Sequence, residues 1–271
     1  MASPFTRKTL AFLRALKRHN DRGWFHRRKD QYEAHVRGPM VQLLAQLAAD
    51  LPAFAPELIA DPRVSLYRIY RDTRFSEDKR PLKTHIAAHF PARGFARNEG
   101  AGLYLEVAPG WVWIGGGLYM PSSADLRAIR EHIASHHRTL HRIVTSRPFR
   151  RAVGTLEGER LSRVPLGFPK DHPAAEYLRF KQFLAGCEFE AEFAASGRFY
   201  GTVLTIFRAV APLVRFLNAP LLEAGPPTRV PQRVGVQYRR SVTPALPIED
   251  GARLPDLRQG ARRRPAPASP W

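Results

Sequence analysis

The fold is decided by residues 102–117, whose sequence is GLYLEVAPGWVWIGGG. Two runs rich in apolar and aromatic residues, 102–107 and 111–114, flank the tripeptide Ala108-Pro109-Gly110. Proline presets the φ angle of a tight turn, and glycine tolerates a positive φ angle. The segment therefore predicts a β-hairpin, and the glycines at 115–117 are expected to end it.

Side chains alternate between the two faces of a sheet along each strand. Trp111 and Trp113 are therefore expected on one face of the hairpin, with Val112 and Ile114 on the other. Two functions remain open for the tryptophans: they stack on a ligand if their face is exposed, or they are buried in the core.

Further strands and helices are indicated on both sides of the hairpin. Aromatic and β-branched residues predict strands at 64–70 and 84–90, and a short one near Phe189. Apolar residues at helical spacing predict helices at 5–18, at 24–47 with a kink at Gly38-Pro39, from Ser122-Ser123 to 143, at 174–184, and at 199–217, interrupted by Pro212. Short connections between strands favour an α+β fold, with a central, mainly antiparallel sheet and helices on one face or at its ends.

The composition changes near Pro220. Residues 223–271 contain nine prolines, nine arginines and four acidic residues, and show no apolar periodicity. A segment so poor in large apolar residues cannot offset the entropy lost on ordering. We expect a single α+β domain over 1–222 and a disordered, Pro- and Arg-rich tail over 223–271, which is either a binding arm or an unselected extension.

The net charge and the cysteine content restrict the possible classes of function. The formal net charge is +19, with 36 Arg and 7 Lys against 24 acidic residues. Such a field attracts polyanions, although arginines scattered over a solvated surface would give the same sum. Cys187 is the single cysteine, so no intramolecular disulfide can form. No run of about 20 apolar residues was recognised, so a soluble, cytoplasmic protein without a membrane partner is predicted.

The most unusual segment is 68–83, RIYRDTRFSEDKRPLK, which holds six cations and three acids at the end of a predicted strand. Guanidinium groups grip phosphate or carboxylate oxygens through paired N–H bonds, so the segment predicts an anion site. The candidate ligand-binding residues in it are Arg68, Arg71, Asp72, Arg74, Lys79 and Lys83. The alternative is an ion-paired strand edge, in which Asp72 and Asp78 neutralise neighbouring cations.

This segment also resembles the hallmark of a mostly bacterial family, the domain of unknown function 2461. The hallmark is R-x-x-R-D-x-R-F followed by D/N-K, and it is matched here from Arg68 to Lys79, with Phe75 as its aromatic residue. Other resembling motifs are Trp24-Phe25, 116–121 and 163–173, so that the likeness extends over 5–222. The resemblance implies that 5–18 is the first helix of the domain, which disfavours reading the basic N-terminus as a presequence. It implies no activity.

Three segments are expected to converge in one anion-binding cleft: the arginine segment, the glycines ending in Gly116 and Gly117, and the loop of Arg163. Glycines let backbone N–H groups approach a ligand, and a helix N-terminus adds partial positive charge. A flexible strand end is the simpler explanation of the glycines.

Catalytic residues are not identified by the sequence. Asp72 and His172 are weak candidates for acid/base chemistry, and Pro173 equally indicates that His172 begins a helix. Histidines four residues apart, such as His132 and His136, could share a helix face, but a metal site is not predicted. No cofactor is predicted.

The sequence is therefore compatible with three functions. The leading one is a domain that binds a small anionic ligand, with or without catalysis. The second is a nucleic-acid-binding protein that uses its basic surface, its Arg-rich tail and an exposed tryptophan for base stacking. The third is a structural or partner-binding module. The sequence leaves the oligomeric state open.

Overall fold

The computed structural model describes residues 3–72, 74, 77–96 and 99–223. The predicted tail lies almost wholly outside these residues, as do Thr73, Phe75 and Ser76 of the arginine segment. The architecture is α+β, as predicted, and its centre is a four-stranded antiparallel sheet with the order β1-β2-β3-β4. The strands are β1 (Ile86–Pro91), β2 (Gly102–Val107), β3 (Trp111–Leu118) and β4 (Phe183–Glu190).

Helices fill the sequence before, between and after these strands. In chain order they are α1 (Arg7–Arg18), α2 (Arg22–His26), α3 (Lys29–Tyr32), α4 (Gly38–Asp50), α5 (Pro62–Ser65), α6 (Ser123–Thr145), α7 (Arg147–Val153), α8 (Ala175–Leu178) and α9 (Phe199–Glu223). A π-helical turn, Glu33–Arg37, joins α3 to α4, and 3-10 turns lie at Leu51–Ala53 and Ala191–Ala195.

The hairpin prediction is confirmed in its turn and in its pairing. Strands β2 and β3 pair antiparallel with Val107 opposite Val112, and the Ala108 N–H donates to the Trp111 carbonyl at 2.8 Å. Trp111 and Trp113 share one face, where Trp113 packs with Ala87 and Tyr104 in a small cluster separate from the main core.

The prediction that the glycines end the hairpin is wrong. Strand β3 continues through Gly115, Gly116 and Gly117 to Leu118 and pairs with β2 on one side and β4 on the other. A Cβ atom at Gly116 would lie 2.6 Å from the Gly102 carbonyl oxygen, closer than any real contact. The glycines therefore serve close strand packing, and their backbone lies inside the sheet.

The main core lies between the first face of the sheet and helices α7 and α9. On this face Leu103, Leu105 and Ile114 are fully buried. From α9, Phe207 packs edge-on against Phe90 with ring centroids 5.2 Å apart. From α7, the Ala152 carbonyl accepts a hydrogen bond from Cys187 Sγ of β4 at 3.0 Å. The helices thus cover one face, as the α+β prediction requires.

Helix α9 is also long and apolar enough to span a membrane by length and composition, a property that the sequence reading missed because Arg208 and Arg215 interrupt it. Two thirds of its most apolar window is buried inside the protein. This burial is typical of a core helix. Pro212 lies within the helix and does not end it, contrary to the interruption predicted.

The helix predicted at 24–47, with a kink or a split at Gly38-Pro39, is divided, and the π-helical turn Glu33–Arg37 directly precedes Gly38. Pro39 has no N–H to give to the His35 carbonyl four residues earlier. The Gly38 N–H donates to the Glu33 carbonyl, five residues earlier. The freed His35 carbonyl instead accepts a hydrogen bond from the buried Thr9 hydroxyl of α1 at 2.6 Å.

Two other elements differ from prediction. Residues 64–70 do not form a regular strand: Asp61 caps the short helix α5, and the chain then runs extended with single bridges at Leu66 to Ala88 and Tyr70 to Leu82. The helix predicted at 174–184 is only the four-residue α8, because the apolar residues from Phe183 onward belong to β4.

We predict that Thr9→Val lowers the free energy of unfolding by about 1–3 kcal/mol, because the buried Thr9 hydroxyl would no longer donate to the His35 carbonyl or accept from the Thr6 N–H. Chemical denaturation measures this change. The matched control is Thr205→Val, since Thr205 is exposed on α9 and bonds only the Gly201 carbonyl of its own helix. Equal small losses in both variants would contradict the assignment.

Candidate functional site

The two ends of the arginine segment are held together by backbone hydrogen bonds and by one side chain. The Arg71 N–H donates to the Pro81 carbonyl at 2.9 Å, and the Lys83 N–H donates to the Ile69 carbonyl at 2.8 Å. The side-chain amide of Asn20 then pairs with the backbone of Leu82, donating at 2.9 Å and accepting at 3.0 Å. The base of the loop is therefore fixed to the end of α1.

Within the loop, arginines pair with the nearest carboxylates. Asp78 accepts hydrogen bonds from Arg71 at 2.5 Å and from Arg80 at 2.6 Å, and Asp72 accepts from Arg74 at 2.7 Å. These guanidinium groups hold the pKa values of both carboxyl groups well below their usual range. Asp72 is therefore a poor proton acceptor, and this part of the loop matches the ion-paired alternative.

The remaining loop cations point to different places. Lys79 is exposed on the loop. The Lys83 ammonium lies over the ring of Tyr67, 4.7 Å from its centroid. Arg68 is exposed and lines a cleft of about 400 Å³. Of the six candidate residues in this segment, Arg68 is thus the one that borders this cavity.

One wall of the Arg68 cleft comes from residues 25–37, between α2 and the π-helical turn. The other comes from residues 62–70, which include α5 and the extended chain that follows it. Its floor is formed by buried apolar and aromatic side chains, namely Phe25, Tyr32, Leu66 and Ile69. Its charged lining consists of Lys29, Arg37 and Arg68 with a single carboxylate, Glu33. Glu33 accepts a hydrogen bond from Arg37 at 3.2 Å, one helical turn away.

Rings fix the wall of the cleft. Tyr32 packs against Phe25 with centroids 5.2 Å apart, and Tyr70 packs edge-on against Phe25 at 5.9 Å. Burial, followed by the neighbouring charge of Glu33, raises the pKa of Tyr32 to about 12. The Tyr32 hydroxyl therefore stays protonated and remains a hydrogen-bond donor at neutral pH.

A second polar group lies on the tryptophan face of the sheet. Glu106 of β2 is only 5% exposed and accepts a hydrogen bond from the Tyr104 hydroxyl at 2.8 Å. His85 Nδ1 lies 3.7 Å from a Glu106 oxygen. Burial lowers the pKa of His85, and Lys83 and Arg71 lower it further, against the opposite effect of Glu106.

The other predicted segments do not line the Arg68 cleft. Gly116 and Gly117 lie in the central strand of the sheet, and Arg163 is exposed in the loop before α8. His172 Nδ1 accepts the Ala174 N–H at 3.0 Å, so this imidazole caps the turn that leads into α8. The predicted convergence of three segments is therefore not found, because pairing on both sides of β3 commits the glycine backbone to the sheet.

Within the described ranges, no group of three or more His, Cys, Asp or Glu side chains is placed to hold a metal ion. The rings of His132 and His136 are tilted by 30° with centroids 4.3 Å apart, and the His132 ring also lies 4.6 Å from that of Phe216. Burial raises the pKa of the Cys187 thiol to about 12, so it is not a reactive thiolate at neutral pH.

Comparison with protein families gives one match. A family model described as conserved hypothetical protein (DUF2461) matches residues 8–216. The chain belongs to this family. In this DUF2461 member the match spans both the arginine segment and the Arg68 cleft. Searches of curated proteins and of solved structures returned no match.

The DUF2461 chain also contains site residues that sequence reasoning missed. Lys29 and Arg37 precede Arg68 by more than 30 residues, and only the packing of the π turn against the extended chain brings them together. Glu106 could have been recognised from the sequence, because it is an acidic residue inside a predicted strand. A charged residue at such a position is rarely buried without polar neighbours.

We predict that the free energy of unfolding falls as the pH is lowered from 7.5 to 5.5. Unfolded His85 takes up a proton near its ordinary pKa of about 6.5, whereas the folded protein resists protonation there until lower pH. The stability present above pH 6.5 is therefore lost below it. Denaturation midpoints across this range measure the effect, and His85→Gln should reduce the slope.

His132 contributes with the same sign, since burial also lowers its pKa, and that contribution should persist in His85→Gln. The control is His26→Gln, because His26 is exposed. An unchanged slope in His85→Gln, or an equal reduction in His26→Gln, would contradict the assignment to His85.

Proposed function

We propose that this protein binds a small anionic ligand in the Arg68 cleft. The observation that carries the proposal is the imbalance of charge above an apolar floor. Three cations, Lys29, Arg37 and Arg68, line the cleft against one carboxylate, Glu33, which gives 3 − 1 = +2. Clefts with apolar walls and one sign of charge concentrate ligands of the opposite sign.

The cations of the cleft differ from those of the loop in their pairing. Arg71, Arg74 and Arg80 each have a carboxylate within 2.7 Å. In the described part of the chain, Lys29 and Arg68 have no carboxylate within ion-pair distance. Arg68 does lower the pKa of Asp72 from a distance, as the last of several causes. Its donors are therefore available to a ligand.

The floor of the cleft strengthens such binding. Phe25, Tyr32 and Ile69 are each at most 7% exposed, so the rim charges act beside a medium of low polarity. Electrostatic attraction is stronger at low effective dielectric. Arg71, Asp72, Arg74, Lys79, Lys83, Gly116, Gly117 and Arg163 are outside the lining of this cleft. Of the ligand-binding residues predicted from the sequence, the proposed site therefore includes Arg68.

We also propose that the protein is cytoplasmic and that no membrane takes part, with α9 as a core helix and Cys187 as a half-buried thiol. The nucleic-acid alternative draws on the net charge of +19 and on Trp111 or Trp113 as a stacking residue. Trp113 is only 8% exposed, whereas Trp111 is partly exposed. Binding by that route would weaken steeply with salt and would not depend on one residue of the cleft.

We predict that inorganic phosphate at millimolar concentration raises the thermal unfolding midpoint of the full-length chain, at constant ionic strength maintained with sodium chloride. Arg68→Ala should weaken phosphate binding about tenfold or more, since a hydrogen bond to a charged group is worth about 1.5–3 kcal/mol. Phosphate titrations followed by thermal shift and calorimetry measure both effects.

The matched control is Arg74→Ala, which removes an arginine of the same segment that is 66% exposed and bound to Asp72. Arg74→Ala should leave phosphate binding unchanged. The proposal fails if phosphate has no effect beyond that of chloride, or if both variants weaken its binding equally.

A further inference from the structure

We infer that the ligand of the Arg68 cleft is a phosphomonoester that carries a planar ring, of the size of a nucleoside monophosphate. This inference rests on the proposed anion site and adds to it the chemical class of the ligand. It draws on three properties of the cleft: an exposed ring beside the cations, a net charge of +2, and a small volume.

The exposed ring is that of Tyr70, which lines the cleft two residues after Arg68 and is 43% exposed. Exposed large hydrophobic side chains are few among the described residues, and the others are Met120, Leu166 and Leu222. A planar ligand group stacks on such a ring because every aromatic base offers a π face.

Tyr70 is also held in place before any ligand arrives. Its ring packs edge-on against the buried Phe25, with an interplanar angle of 80°. Its backbone bridges Leu82, which is itself fixed by Asn20. A preorganised ring loses little conformational entropy on binding, so exposure at this position favours ligand contact.

The charge of the cleft matches a phosphomonoester. Lys29, Arg37, Arg68 and Glu33 sum to +2. A phosphomonoester carries about −1.5 to −2 at pH 7, because its second pKa is about 6. A monocarboxylate would leave one positive charge without a partner. The guanidinium of Arg68 can bind two phosphate oxygens at once.

The volume sets the size of the ligand. Small-molecule sites occupy about 300–1,000 Å³, and this cleft, at about 400 Å³, lies near the lower limit. One ring, one sugar and one phosphate would occupy that space, and a longer ligand would extend out of the open side of the cleft.

Isothermal titration of the full-length chain tests the inference with four probes: adenosine 5′-monophosphate, ribose 5-phosphate, inorganic phosphate and adenosine. We expect adenosine 5′-monophosphate to bind at least tenfold more tightly than ribose 5-phosphate, and adenosine to bind weakest. Tyr70→Ala should remove the preference for the nucleotide and leave inorganic phosphate binding unchanged. Arg68→Ala should weaken binding of all three phosphates.

Two further variants guard against an indirect effect. Tyr70→Phe keeps the ring and should keep the preference, while Leu166→Ala alters a fully exposed apolar residue elsewhere and should have no effect. Equal affinity for ribose 5-phosphate and the nucleotide, or a preference that survives Tyr70→Ala, overturns the ligand class but leaves the anion site intact. If none of the phosphates binds, both the ligand class and the anion site fail.

Discussion

Strand β3 has to accept a hydrogen-bonded neighbour on each side while helix α9 packs across its first face, and this constraint organises the rest of the molecule. Gly115, Gly116 and Gly117 meet it, since a Cβ atom at any of them would collide with the backbone of β2 or β4. The sheet thereby acquires two unlike faces. One carries the main apolar core beneath α7 and α9, and the other carries Trp113, Tyr104 and the buried Glu106.

Charged side chains occur in three different surroundings. On the second face a carboxylate is buried next to a tyrosine hydroxyl and a histidine whose pKa is lowered. In the arginine loop, guanidinium groups are satisfied by aspartates two to seven residues away. In the Arg68 cleft, cations from distant parts of the chain meet above an apolar floor. In the loop, arginines are neutralised by aspartates close in sequence. In the cleft, packing brings together cations that are distant in sequence, with one carboxylate among them.

Sequence reasoning recovered the features that depend on neighbours in the chain. The hairpin turn at Pro109-Gly110, the apolar spacing of α1 and the start of α6 at Ser122-Ser123 are local, and each is confirmed. Residues 64–70 were misjudged because their β-branched and aromatic side chains fit an extended chain that makes only single bridges. The glycines of β3 were misjudged because only the close approach of β2 and β4 on either side shows why side chains are excluded there. The cleft could not be predicted, since Lys29 and Arg37 come from a different part of the chain than Arg68.

Isolated bridges occur along both outer strands of the sheet. Leu58 and Leu66 each bridge residues in or next to β1, and Glu157 bridges Leu184 of β4. Unpaired outer strands are templates for the addition of foreign strands, and natural proteins protect them with short irregular segments. A partner that recognised this domain by extending its sheet would first have to displace these contacts. The same bridges thus oppose both edge-to-edge aggregation and the addition of a foreign strand.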